Sequence, residues 1–482
     1  MNVALVSHEW LVIALGLGLL LVDLWLPVQA KPKLGYVASA GLGAILIYSL
    51  VVFPPGSEVR YAFEQMYALD GLALFFKRFF LVATMAVLLM SVEFVEQIPT
   101  GIAEYYALTL FALSGMLFAS STNHFALLFV SLELITVTFY VLTSFQRGRL
   151  TSLEAGIKYL IIGALSTAFT VFGIAFVYGI SGTMDFNELA ALAGTLSANK
   201  MFLFGLLLVM VGLGFKIAAF PFQIWAPDVY QGAPSPTTAF LAVGSKAAGF
   251  VLLLRVLFLA VPDVTREWSK PLILISAITI LYGNLCAIPQ RNLKRLLGYS
   301  SIAHAGYMLL GVAALSAAGK SAILYYLSGY LFTVLGAFTV ICLALQQVET
   351  EEITALAGLN QRSPLLATTM TLAMVSLAGI PPMAGFFGKF LLLKAVIAQG
   401  ATQPAYYWLV AIAIAGVVMS LYYYFGVIRV IFWSKEYTDL SPIKTSPPIR
   451  ISLYACVVGM FFLGVFPGWF VDLTAQAVKA LK

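Results

Sequence analysis

Apolar runs long enough to cross a lipid bilayer follow one another almost from end to end of this chain, and that pattern leaves few folds open. A bilayer core about 30 Å thick takes roughly 20 apolar residues per helical crossing. Lipid offers no partner to an unpaired backbone N–H or C=O, so a spanning segment must be a helix or part of a closed barrel. Barrel strands alternate polar and apolar residues, whereas Leu206-Leu207-Leu208-Val209-Met210-Val211 is apolar throughout. With 61% of residues hydrophobic and 10% charged, the chain reads as all-α, a polytopic membrane helix bundle in a single integral membrane domain.

Reading the runs between Pro, Gly and charge clusters places spans near 3–26, 35–53, 71–93, 104–121, 124–145, 153–180 and 200–220. A second set follows near 237–261, 268–289, 295–318, 320–346, 364–398, 403–432 and 450–478, which makes about fourteen transmembrane helices. The first basic residue is Lys31, so Met1 to Leu26 lacks the charged start of a secretory signal peptide and is expected to remain as the first span.

The formal charge of +6 does not point to nucleic acid, because the 27 basic residues are scattered over loops and helix ends without forming a stripe. Their distribution instead orients the chain. The odd-numbered connections carry eleven (Lys31, Lys33, Arg147, Arg149, Arg291, Lys294, Arg295, Arg362, Lys435, Lys444 and Arg450), the even-numbered ones five (Arg60, Lys200, Arg266, Lys270 and Lys320). The positive-inside rule therefore places the odd connections in the cytoplasm and both termini on the periplasmic side.

Two spans look interrupted. Gly212-Leu213-Gly214-Phe215-Lys216 runs through Pro221 and Pro227 to Gly232-Ala233-Pro234-Ser235-Pro236, and Ala378-Gly379-Ile380-Pro381-Pro382 runs through Gly385 to Gly388-Lys389-Phe390. Each joins helix breakers to a lysine. Paired interruptions of this kind suggest internally repeated units in the two halves of the chain. The seventh and twelfth spans are offset by five helices, an odd number, so the repeats would be inverted.

A charge near mid-bilayer costs about 2.5–3.5 kcal/mol on insertion scales, so each one needs a reason. Glu133 lies in the middle of the fifth span with no cation within a helical turn. Lys216 and Lys389 adjoin the breaks, where freed carbonyls could hold an ammonium, and Lys246 is nine residues into its span, about 14 Å deep. Lys158 follows Glu154 by four residues, which fits either an ordinary helical salt bridge or a relay. His304 stands among Ser300, Ser301 and Tyr307, and its unperturbed pKa of about 6.5 suits proton transfer as well as a hydrogen-bonded core position does.

The remaining polar features have plainer readings. Arg255, Lys394 and Arg429 are expected to reach an interface, Lys77-Arg78 to pair with an acidic neighbour, and Tyr422-Tyr423-Tyr424 to serve an aromatic belt or helix packing. Cys286, Cys342 and Cys456 sit far apart in apolar runs, as small hydrophobes would. There is no P-loop, HExxH, CxxC or dinucleotide fingerprint, and three histidines give haem or zinc little to bind. Protonatable groups in apolar surroundings, with nothing to hold an electron or a nucleotide, describe transport chemistry. A buried lysine can exist as ammonium or amine according to its neighbours, which is what loading and unloading a proton requires.

Leu132-Glu133-Leu134, Ser152 to Tyr159, Gly212 to Lys216, Pro221 to Pro234, Lys294 to His304 and Gly379 to Phe390 resemble the antiporter-like membrane subunits of respiratory complex I, the NADH:quinone oxidoreductases. The likeness covers essentially the whole chain. Within the family it is most similar to the N type, the counterpart of mitochondrial subunit 2, with lysine rather than glutamate at position 389. The resemblance implies fourteen helices, with helices 1–3 over 3–103, two inverted five-helix repeats over 104–261 (helices 4–8) and 268–432 (helices 9–13) and helix 14 over 450–478, and proton translocation through Glu133, Lys158, Lys216, Lys246, His304 and Lys389. It implies no cofactor or metal on this chain: NADH, FMN, iron–sulfur clusters and quinone would belong to partner subunits, with other antiporter-like subunits alongside in a bacterial cytoplasmic (inner) membrane. Two alternatives stay open, a subunit of a multisubunit cation/proton antiporter and a membrane scaffold whose buried charges only fix packing.

Overall fold

A computed structural model describes residues 3–54, 58–345, 351–435 and 440–481. The first helices are α1 (Ser7–Asp23), α2 (Leu34–Val52), α3 (Gly71–Val95), α4 (Ile102–Ser120), α5 (Phe125–Thr143), α6 (Leu150–Ser181), α7 (Phe186–Leu196) and α8 (Lys200–Ile217). Next come α9 (Ala226–Gly232), α10 (Ser235–Phe240), α11 (Lys246–Arg255), α12 (Pro262–Glu267), α13 (Ser269–Ala287), α14 (Leu293–Ala313) and α15 (Ala317–Ala344). The chain finishes with α16 (Leu359–Arg362), α17 (Pro364–Ala378), α18 (Ala384–Ile397), α19 (Ala405–Trp433), α20 (Pro447–Val465) and α21 (Pro467–Ala477).

Thirteen helical stretches among the described residues are long and apolar enough to cross a membrane. The fourteenth crossing is the pair α17–α18, whose 15 and 14 residues reach only ~22 Å and ~21 Å singly at 1.5 Å per residue. The last expected span, 450–478, is corrected: it stops at Val465, because Phe466 leaves helical geometry and Pro467 has no N–H to continue the ladder, and α21 starts afresh. One small sheet was not anticipated. Strands β1 (Arg60–Ala62) and β2 (Tyr67–Leu69) pair antiparallel, closed by Phe63, Glu64 and Gln65 at positive φ.

Polar side chains close the helix starts. Asp70 accepts from the Ala73 N–H at 2.7 Å to cap α3, Asn199 caps α8 and Asn292 caps α14. The two interrupted spans end alike. Ala218 (φ 58°) closes α8 and Gly379 (φ 85°) closes α17, each in the left-handed conformation, and each is followed by a cis X–Pro bond, Phe220–Pro221 and Pro381–Pro382.

The stretch from Ser235 to Ala260 is buried throughout, and α14 and α15 nearly so, whereas α2, α6, α19 and α20 turn much of their surface outward. Lys246 and His304 therefore lie on the innermost helices. The Ser235–Ala260 stretch changes pitch twice, with π-helical turns at Leu241–Ser245 and Val256–Ala260 on either side of α11.

Burial also corrects the expectation for Arg255, which is 0% exposed and bonds Asp70 Oδ1 at 2.9 Å. Its partner, 185 residues earlier, is the α3 cap, and only packing brings the two together. Lys77 finds its acid in Glu9, both fully buried, with the Tyr67 hydroxyl donating to the same carboxylate at 3.2 Å. Lys394 and Arg429 are exposed. All three cysteines are free; Cys342 and Cys456 are buried and Cys286 partly so.

Candidate functional site

Glu133 and Lys216 meet at the junction of α5, α6 and α8. The Glu133 carboxylate accepts a hydrogen bond from Thr167 at 2.6 Å, and Lys216 Nζ donates to Thr136 Oγ1 at 2.9 Å, three residues along α5 from Glu133. Thr136 can serve as an acceptor because its own proton goes to the Leu132 carbonyl at 2.6 Å. The two charged groups form no direct ion pair. They line a shared cavity of about 20 Å³ together with Ser166, Thr167 and Thr170, enough for a single water. Lys216 runs beside Gly249 of α11, where an added Cβ would stand 3.2 Å from Lys216 Cγ and 2.7 Å from Ile217 Cγ2.

Lys246 opens α11 immediately after the first π-turn. Its ammonium donates to the Ser301 carbonyl at 2.5 Å and also contacts the Ser301 hydroxyl, which bonds Tyr230 at 3.0 Å and Tyr330 at 3.1 Å. One turn along α14, His304 Nδ1 bonds the Tyr326 hydroxyl at 2.5 Å and Nε2 the Tyr424 hydroxyl at 3.0 Å. Tyr424 reaches on to Ser300 at 2.5 Å. Lys389 donates to the carbonyls of Leu377 at 2.7 Å and Ala378 at 3.1 Å, the acceptors that the end of α17 leaves unused, and lies 4.9 Å from the centre of the Tyr307 ring.

Of the six residues singled out from sequence, five line the interior. Lys158 stands apart. It bonds Glu154 and Asp228, both at 2.7 Å, and Asp228 also accepts from Arg295 at 2.5 Å. The Lys158 side chain is 42% exposed, so both readings of the Glu154–Lys158 spacing survive: the helical pair is present, and it extends into a four-residue charge cluster.

The Tyr159 ring stacks on Phe215, the residue before Lys216, and its buried hydroxyl neighbours that of Ser245, the residue before Lys246; among the described residues neither hydroxyl has a hydrogen-bond partner of standard geometry, nor does the Tyr140 hydroxyl beside Glu133. Sequence reasoning missed these three groups, and it missed Thr136, Thr167, Tyr326 and Tyr330. Thr136 alone had a local signal, its place one helical turn from Glu133. Tyr424, assigned to belt or packing, belongs instead to the histidine's hydrogen-bond shell, while Tyr422 is 70% exposed, as a belt residue would be.

The interior holds charges of two kinds. Lys77 and Arg255 are bonded directly to carboxylates, whereas Lys216, Lys246 and Lys389 are held only by neutral oxygens. A lysine on neutral acceptors can give up its proton without leaving a bare anion behind.

Residues 122–420 match the family described as NADH:quinone oxidoreductase/Mrp antiporter, TM. The NADH-quinone oxidoreductase subunit N of Moorella thermoacetica is 40% identical over 466 residues, covering 97% of this chain and 96% of its own. A chain of the respiratory complex I from Thermus thermophilus with bound aureothin superposes with a TM-score of 0.80 at 33% identity, over 97% of this chain and 99% of that one. A chain of the Mrp complex from Dietzia sp. shares the fold, with a TM-score of 0.81 at 20% identity over 100% and 98%.

Proposed function

The chain belongs to the NADH:quinone oxidoreductase/Mrp antiporter family of membrane subunits, and we propose that it translocates protons as an antiporter-like subunit of an NADH:quinone oxidoreductase. One observation carries this reading: three buried lysines, on α8, α11 and α18, are bound by hydroxyl and carbonyl oxygens rather than by carboxylates. A scaffold would want its buried cations paired, as Lys77 and Arg255 are.

In this reading Glu133 and Lys216 form one protonation unit across their cavity, and Lys246 a second at Ser301. His304 and Lys389 form a third, with Tyr326 and Tyr424 orienting the imidazole. A proton leaving Lys216 as Glu133 takes one up changes the field felt at Lys246. The neighbouring hydroxyls of Tyr159 and Ser245 would link them. Lys158, with Asp228 and Arg295, would gate the end of this row. The two interrupted spans, closed by the same left-handed cap and proline, support assigning 104–261 and 268–432 to inverted repeats.

Electron transfer would stay with partner subunits, which would carry NADH, FMN, iron–sulfur clusters and quinone. Other antiporter-like subunits would stand beside this one in a bacterial inner membrane, with both termini outside the cytoplasm. The Mrp fold likeness makes cation/proton antiport the competing reading. The test is proton uptake by everted membrane vesicles. NADH-driven uptake that needs Lys216 and Lys389 at matched levels of assembled complex supports the proposal. Uptake unchanged on replacing both lysines, or sodium-dependent transport without NADH, contradicts it.

A further inference from the structure

A groove of about 760 Å³, outside the row of lysines, lies between the N-terminal half of α3, the middle of α15 and α21. Its deep walls are apolar, made by Phe79, Val82, Leu331, Phe332 and Phe470, and its rim is polar, with Glu58, Arg78, Gln476 and Lys479. All the rim groups gather at one end. Gly71, the first residue of α3, packs against Ala477 at the close of α21, an added Cβ standing 3.5 Å from its Cα. Arg78, although a further two turns along, points its guanidinium back to the end of α2, where Nη2 donates to the Ser49 carbonyl at 2.9 Å and also to that of Phe53, and Nε to the Ser49 hydroxyl at 3.2 Å. Neither Ser49 nor Phe53 uses Nη1, and Lys479, which lines the same groove, is exposed.

The depth of the groove indicates its occupant. From Gly71 to Val82 the α3 wall descends eleven residues, ~16 Å at 1.5 Å per residue. That is about half of a hydrocarbon core some 30 Å thick, the depth of one leaflet. A partner's transmembrane helix would need a seam through the whole core. We propose that this groove holds the acyl chain of an anionic phospholipid from the leaflet at the α3 N-terminus, with Arg78 Nη1 and the Lys479 ammonium receiving its phosphate. Two cations against the single carboxylate of Glu58 leave the rim net positive, which favours an anionic over a zwitterionic headgroup.

The assembled complex, purified in detergent, is incubated with phosphatidylglycerol bearing a photoactivatable diazirine on its acyl chain, irradiated and digested. The label should fall on peptides containing Val82, Phe332 or Phe470, and unlabelled phosphatidylglycerol should suppress it several-fold better than phosphatidylcholine does. Lys479→Gln, at a side chain that makes no hydrogen bond or ion pair among the described residues, should weaken labelling several-fold, Arg78→Gln with Lys479→Gln should weaken it further, and Leu331→Trp should block the groove to either lipid. Equal competition by phosphatidylcholine, or labelling unchanged in Lys479→Gln and the double variant, would overturn the headgroup assignment. Labelling that appears only after the subunit is freed from the complex would show a partner helix in the groove and overturn the proposal outright.

Discussion

Lys216 donates to the Thr136 hydroxyl at 2.9 Å and makes no direct bond to Glu133, which stands one turn from Thr136 on α5 and lines the same cavity. This spacing separates a lysine that can exchange its proton from one locked in an ion pair. It also makes the two roles distinguishable by substitution.

Lys216→Arg keeps a charge that effectively cannot be released, Lys216→Met keeps much of the apolar bulk without a titratable group, and Lys216→Ala keeps neither. All three should lose most NADH-driven proton uptake in everted vesicles at matched levels of assembled complex. Near-normal uptake in Lys216→Arg beside a defective Lys216→Ala would leave Lys216 a structural role only.

Glu133→Gln preserves the hydrogen bond from Thr167 but removes the charge, so proton uptake should fall sharply, whereas Glu133→Asp should keep part of it. The readout is the same vesicle assay. Wild-type uptake in the Gln variant would remove Glu133 from the relay.

Tyr424→Phe deletes the hydroxyl shared by His304 Nε2 and Ser300 while keeping the ring. The loss of stability should be about 1–3 kcal/mol, because a buried imidazole nitrogen is left unpaired, with the complex still assembling and proton uptake reduced because the imidazole loses its orienting partner. Ser300→Ala, which removes only the outer bond, should be milder. The order reversed, with Ser300→Ala the more damaging, would argue against orientation through Tyr424.

Arg255 and Asp70 predict the opposite behaviour. Arg255→Ala strands a buried carboxylate and should destabilise the subunit by about 3–5 kcal/mol, visible as a low yield of assembled complex and a lowered Tm. Arg255→Lys, which keeps the charge, should restore assembly and with it full proton uptake per complex. Assembled Arg255→Lys complex with poor uptake would place Arg255 in the relay rather than the framework.

Orientation is checked with reporters. One inserted near Arg147 should lie in the cytoplasm and one fused after Lys482, which is outside the described residues, should not. Reporters on the same side would break the fourteen-crossing count.

The membrane solvent, the helix count, the two interruptions and the burial of Lys216, Lys246 and Lys389 were legible in the chain, because hydropathy, proline and left-handed caps act within a few residues of where they stand, whereas Lys294 and Lys320, counted with the connections, are buried. Ala218 and Gly379 end their helices at the places the Gly/Pro clusters mark. Partners were not legible. Lys77 and Lys216 are each a lysine in an apolar helix, yet the first meets Glu9, 68 residues away, and the second Thr136, 80 residues away. Arg255, nine residues past Lys246 on the same stretch, seemed able to reach an interface until α3 brought its cap to it. Sequence determined which stretches cross the membrane and that Glu133, Lys216, Lys246 and Lys389 sit within them, since each crossing is set by its own apolar length. The tertiary structure decided which of those charges are neutralised and which are held by oxygens that let a proton go, since that depends on helices meeting side by side after distant stretches of chain have packed.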